Sequence, residues 1–192
     1  MNHYNQAVLL ETQTPINSQA LKAAIRDIID IHSSLRLRFR RENNDNWQQY
    51  YQSYELQQEH INQDILQIVN LEGTNEKIIK EKYYEIINNA QKSLDIEKGP
   101  IFKVVLFVAA GYSKLFIVIH HLVVDTVSWG ILLESLEGCY QARLNEILPS
   151  FTSKAGQNEY GRWVSQLTGQ SCFNNFSAEI PFWEDILLKA SN

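Results

Sequence analysis

The sequence predicts an α/β sandwich with a mixed, largely antiparallel sheet flanked by helices. Three observations carry that reading. Apolar runs of strand length at 6–11, 101–110 and 114–121 alternate along the chain with stripes of helical period. The last two runs are apolar on both faces, so both sides of their sheet need a cover. Gly111-Tyr112-Ser113 joins them as a tight turn, which makes them antiparallel neighbours.

At 192 residues the chain is one ordinary domain or one lobe of a larger one. It is long enough to bury roughly 70% of its unfolded surface without staples. With 44% hydrophobic and 20% charged residues it is globular in composition. A net charge of −5 and the lack of a basic cluster remove the electrostatic footprint of a nucleic-acid binder. Cys139 and Cys172 have no metal spacing and give no disulfide framework, which fits a reducing cytoplasm. No apolar run follows a basic start, so no signal peptide is expected. The 101–110 run, broken by Lys103, is too short to span a bilayer.

In chain order, Gln6–Glu11 reads as a strand, and Pro15-Ile16-Asn17-Ser18 as a turn that starts a helix. Leu21, Ala24, Ile25, Ile28 and Ile29 stripe that helix to His32, with Lys22, Arg26, Asp27 and Asp30 on its wet side. Leu35–Arg40 alternates with period two. Its three arginines form a solvated basic edge, or reach inward if a carboxylate waits there. Asn43–Asn46 is the hairpin turn, Trp47–Gln52 the returning strand, and Asp64–Leu71 a further one.

Thr74 can cap a helix to about Leu94, striped by Ile79, Tyr83, Ile86, Ile87, Ala90 and Leu94. Gly99-Pro100 breaks the chain before the hairpin. Val127, Ile131, Leu132, Leu136 and Cys139 stripe a helix to about Asn145, and Pro149 ends it. Ser153–Leu167 and Pro181–Lys189 are two further expected helices, joined by a polar segment containing Cys172.

Titratable chemistry concentrates in 115–136, where a buried strand, a short polar turn and a helix follow one another. Side chains alternate along a strand, so Ile117, Ile119 and His121 share one face and Phe116, Val118 and His120 the other. Only one imidazole can look into a given cavity. A metal site built from His120, His121 and Asp125 would need both on one side, so no metal is expected. Asp125 stands at the expected N-cap and can serve Val127 or Ser128, or pair with an arginine. A Ser128/His121/Asp125 hydrolase triad lacks the strained nucleophile elbow.

The composite His120-His121-x-x-x-Asp125-x-x-Ser128-Trp129 resembles the signature of the condensation superfamily of nonribosomal peptide synthetases, and Val127-Ser128-Trp129 looks most like its epimerization branch. His32-Ser-Ser-Leu35-Arg36-Leu-Arg38-Phe39 is similar to a second block of that superfamily, and Ser93–Ile101 to the stretch before its hairpin. Asn5-Gln6-Ala-Val-Leu-Leu, Tyr160-x-x-Trp163 and Phe182-Trp183 extend the likeness over nearly the whole chain.

The resemblance implies a chloramphenicol-acetyltransferase-like sandwich. It makes His121 the catalytic imidazole and His120 and Asp125 structural, with Asp125 paired to Arg36. Thr126, Ser128 and Trp129 become candidates for lining a substrate channel. Thr126 stands where the superfamily usually has glycine. Blocks of a second lobe are absent, so the chain reads as an N-terminal lobe only, with a missing C-terminal lobe as its first partner.

The implied reaction is epimerization at the α-carbon of an aminoacyl or peptidyl thioester. The substrate rides on the 4'-phosphopantetheine arm of a peptidyl or acyl carrier protein, and no bound cofactor is expected. A free imidazole, titrating at about 6.5, suits such proton transfer near neutral pH. Donors at the N-terminus of the helix near Thr126 would favour enolate charge. Two alternatives stand beside this reading. One is amide-bond formation with His121 acting on an acceptor amine, and the other is a non-catalytic lobe that docks carrier proteins. The cleft face is expected to be apolar and to self-associate.

Overall fold

A computed structural model describes residues 3–42, 46–53, 64–73, 76–149, 164–166, 169 and 177–190. Residues 1–156 and 157–192 form two compact units. In the first, strand β1 (Asn5–Thr12) leads to helix α1 (Ser18–Ile31), and β2 (Leu37–Arg41) pairs antiparallel with β3 (Trp47–Tyr51) in a small separate sheet. Strand β4 (Leu66–Asn70) and helix α2 (Glu76–Lys92) precede the hairpin of β5 (Phe102–Ala109) and β6 (Tyr112–His120). Helix α3 (Thr126–Leu144) follows. The second unit contains α4 (Ile180–Ala190), where the Pro181–Lys189 stripe predicts it.

The main sheet has the order β1-β6-β5-β4, antiparallel except for the parallel β4–β5 pair, so it is mixed as expected. Pleating sends Phe102, Val104, Leu106, Leu115, Ile117 and Ile119 to one face, where they pack with Leu21, Ala24, Ile25, Ile28 and Ile29 of α1 and Leu132, Leu136 and Cys139 of α3. The opposite face carries Val105, Phe107, Ala109, Phe116 and Val118 under Ala90 of α2 and Leu94. Each of these larger side chains contributes about 1.5–3 kcal/mol by leaving water. Burial among them pushes the Cys139 thiol up to about 11, so its sulfur behaves as an apolar core atom.

Asn17 caps α1 by accepting from the amides of Gln19 and Ala20, both at 3.0 Å. Gly111 takes φ +83 in the β5–β6 turn, a backbone conformation that favours glycine. Gly99, at φ +84, leaves no room for a Cβ, because the guanidinium of Arg38 lies against it.

Several expectations are corrected. Ser33–Arg36 is a 3-10 turn, so the period-two strand starts only at Leu37. Arg36 and Arg38 are buried and only Arg40 faces out, toward Gln48. Burial lowers the Arg38 pKa, and nearby Tyr50 and Asp95 oppose the shift. Val127 and Ile131 are 73% and 55% exposed, because α3 turns Leu132, Leu136 and Cys139 inward instead. Asp27 leaves the wet side of α1 and is buried, held by Arg143 of α3 at 2.7 Å (Nε to Oδ2) and 2.5 Å (Nη2 to Oδ1). The 43–45 turn, the cap at Thr74, most of 153–167, Tyr160, Trp163 and Cys172 lie outside the described residues.

The Asp27–Arg143 pair pins α1 to α3 across the cover of the sheet. Arg143→Ala should lower the unfolding free energy by about 3 kcal/mol, since it strands a buried carboxylate. A urea titration of the two proteins measures this, and an unchanged midpoint would show the pair to be inert.

Candidate active site at the end of the central strand

β6 ends at His120, and the chain turns through 121–125 before α3 begins. His120 is 2% exposed, on the same face as Phe116 and Val118. Its backbone amide donates to Ile101 O at 3.0 Å, and its ring Nδ1 accepts from the amide of Leu122 at 3.2 Å. It is a buried residue that shapes the turn. His121, one residue on, faces the other way and is half-buried. The alternation argued from the sequence holds, and the two rings cannot grip one ion. Among the described residues, no group of three or more His, Cys, Asp or Glu is placed to hold a metal.

The ring of His121 is fixed on three sides. Tyr4 stacks on it with centroids 4.9 Å apart and planes at 24°, and the His121 amide donates to Tyr4 O at 2.8 Å. Nδ1 lies 2.7 Å from the carbonyl oxygen of Val124. Nε2 lies 3.0 Å from Nε2 of Gln6, whose Oε1 accepts from the indole Nε1 of Trp129 at 2.9 Å. Val124 O can only accept, so Nδ1 carries a proton. The indole can only donate, so the Gln6 amide turns its oxygen to Trp129 and its NH2 to His121. Hydrogen bonds therefore run one way, from Trp129 through Gln6 and His121 to Val124. The neutral ring keeps its lone pair on Nε2.

Asp125 is the N-cap of α3. Its Oδ1 accepts from the Ser128 amide at 2.7 Å and from Ser128 Oγ at 2.6 Å. The Ser128 hydroxyl, then its amide, hold the Asp125 carboxyl below the usual carboxylate range. This geometry corrects one expectation. The pair between Asp125 and Arg36 is not made, because Arg36 follows α1 and donates to the orphan helix-end carbonyls of Ile29 and of Asp30 (3.2 Å). Asp125 engages the Ser128 amide of the helix N-terminus. Ser128 donates its hydroxyl to Asp125 rather than to an imidazole, so no hydrolase triad is assembled.

Thr126 is exposed at the first position of α3. The indole Nε1 of Trp129 is engaged by Gln6, and the residue is half-buried. A cavity of about 140 Å³ opens on the far side of the helix start, lined by His32, Ser34, Val123, Val124, Ser128 and Ile131 among others. His32 Nε2 is buried without a partner, and burial lowers its pKa. A larger cavity of about 570 Å³ lies at the other end of β1, between Leu10, Ile16, Leu133 and Tyr140, and His121 is not in its wall. Sequence reasoning missed Tyr4 and Val124 as site residues, and met Gln6 only as part of a resemblance. A polar Gln6 in an apolar run, two residues from Tyr4 on the same strand face, was the available signal.

The profile of the Condensation domain matches residues 1–191. The chain belongs to the condensation-domain family. It is 37% identical over 141 residues to a linear gramicidin synthase protein of Brevibacillus parabrevis, covering 73% of this chain and 3% of that protein. Surfactin synthase subunit 2 of Bacillus subtilis is 29% identical over 185 residues, 96% of this chain and 5% of that one. The epimerization domain from the third module of tyrocidine synthetase B superposes with a TM-score of 0.81 at 24% identity, covering 96% of this chain and 40% of that one. The starter condensation domain of rhizomide synthetase gives 0.73 at 18%, covering 98% and 44%. The condensation-family chain thus has the chloramphenicol-acetyltransferase-like sandwich expected of it, and spans less than half of these structural neighbours and a few per cent of the synthetases. No described helix is long and apolar enough to cross a membrane.

The Asp125 cap titrates in a direction that can be checked. Its folded pKa is lowered, so its contribution to stability is complete above the ordinary carboxylate range and is lost as pH falls through the folded value. Asp125→Asn should lower the melting temperature most at neutral pH, with the difference shrinking as pH falls, so that the acid limb of the profile flattens. An unaltered acid limb would refute the assignment.

Proposed function

We propose that this chain is the N-terminal lobe of an epimerization-type domain in a nonribosomal peptide synthetase. His121 takes the proton from the α-carbon of an aminoacyl or peptidyl thioester, and a second acid/base on a C-terminal lobe of such a domain returns one to the opposite face. The substrate arrives on the 4'-phosphopantetheine arm of a carrier protein. The observation that carries this reading is the half-buried His121 ring, which is neutral, keyed at Nδ1, and has its only lone pair on Nε2. Proton abstraction needs such a nitrogen, held by a carbonyl that fixes the tautomer. His120, buried and bonded to the turn, supports the geometry and takes no proton from substrate.

The Val127-Ser128-Trp129 sequence after the signature favours epimerization over condensation. In this structure Trp129 also reaches the network of the catalytic ring, which gives that residue a reason to be where it is. Condensation is the second reading, favoured by the likeness to a starter condensation domain. There His121 would act on an acceptor amine.

Tyr4, Leu122, Val127 and Ile131 expose apolar surface at 64%, 52%, 73% and 55% around this end of the sheet. That face is where a second lobe would sit. A protein of these 192 residues alone is expected to self-associate through it, with a light-scattering mass that rises with concentration. A monomeric mass throughout would refute this.

The reaction itself is tested in the two-lobed protein that contains this segment, loaded with an aminoacyl carrier in deuterated buffer. His121→Ala should slow α-proton exchange by roughly a hundredfold or more, the range for a lost general base. Unchanged exchange would overturn the reading. A dipeptide formed from donor and acceptor thioesters would favour condensation instead.

A further inference from the structure

His121 is not an open base. The lone pair that would take a proton already accepts a hydrogen bond from the Gln6 amide. We infer that Gln6 is a positioning residue that holds Nε2 of His121 as an unprotonated acceptor, and that its amide must leave Nε2 before that atom can take a proton. The inference deepens the reading of His121 as the acid/base group and rests on it.

Three features single out Gln6 as the exchangeable member of the network. Its backbone is held by the β1–β6 ladder opposite Ile119, while its side chain is only half-buried at the sheet edge, so the amide can swing without breaking the strand. The His121 ring has restraints independent of Gln6, namely the Val124 carbonyl at Nδ1 and the stacked Tyr4. Departure of the amide therefore leaves the base in place. Lastly, Trp129 sets which end of the amide faces the ring, because its indole N–H can be answered only by the oxygen. A reversed amide would turn NH2 against N–H at one end and oxygen against a lone pair at the other.

This is more than packing, since a residue that merely filled space would donate no hydrogen bond to Nε2 of His121 and its loss would not move that nitrogen's resonance. The determining experiment is nitrogen-15 NMR of the His121 ring in this chain, with the resonances assigned by their loss in His121→Ala. In the unaltered chain Nδ1 should be protonated, and Nε2 unprotonated and shifted by an accepted hydrogen bond. Gln6→Leu should leave Nε2 unprotonated but move it to the position of a free lone pair. Gln6→Glu should do the opposite. Its carboxylate accepts from both Trp129 and His121, so Nε2 becomes protonated as well at neutral pH.

A proton on Nε2 in the unaltered chain, or an Nε2 resonance that moves in neither variant, overturns the inference. Backbone amide spectra away from the site show whether each variant is folded, and the first of these measurements needs no variant beyond the His121→Ala assignment. Should the NMR outcomes hold while His121→Ala leaves α-proton exchange untouched, the Gln6 lock stands and the reading of the reaction falls.

Discussion

Everything at the functional end depends on β6 being buried on both faces. A one-residue slip turns every side chain of a strand to the opposite face, so the partners on a buried face hold the register. Here Ile117 and Ile119 are packed under α1 and α3 while Phe116 and Val118 are packed under α2. A one-residue shift would exchange every one of these contacts. The constraint reaches to the last residue of the strand. His120 falls on the α2 side and is sealed in, and His121 falls on the other side at the point where the strand has ended. Two identical side chains in succession thus receive different chemistry from the pleat alone.

The second imidazole owes its state to partners brought from elsewhere. β1 is an edge strand with most of its residues exposed or half-exposed, yet it supplies the amide that bonds His121, and Tyr4 just ahead of it supplies the ring that stacks there. Its antiparallel pairing with β6 sets Gln6 opposite Ile119, two residues short of His121 and on its face. α3 adds Trp129, and the turn itself adds the Val124 carbonyl. Each contact is an ordinary hydrogen bond or ring stack. What is specific is their direction, because one donor-only group at one end and one acceptor-only group at the other leave a single consistent arrangement of protons.

The charged residues divide into those that hold the fold and those that hold the turn. Asp27 with Arg143 joins the two covering helices, and Arg36 closes the end of α1 through backbone carbonyls. Asp125 stays outside this set and caps α3 from an exposed position. An aspartate close to two histidines thus serves the geometry of the helix start, and its hydrogen bonds stay within the first turn.

The sequence by itself determined the order and type of most elements, the two-faced burial of the β5–β6 hairpin, the place of Asp125 at the start of α3 and the opposite facing of His120 and His121. These follow from periods of 2 and 3.6 and from local side-chain chemistry, which are properties of neighbours along the chain. The tertiary structure decided what depends on distant residues. It buried Asp27 against Arg143 and sent Arg36 to α1 instead of Asp125. It left Val127 and Ile131 in water and set Gln6 between Trp129 and His121. Those outcomes turn on how strands 115 residues apart in the sequence pair and on the rotation of α3 over the sheet, and no local pattern encodes either.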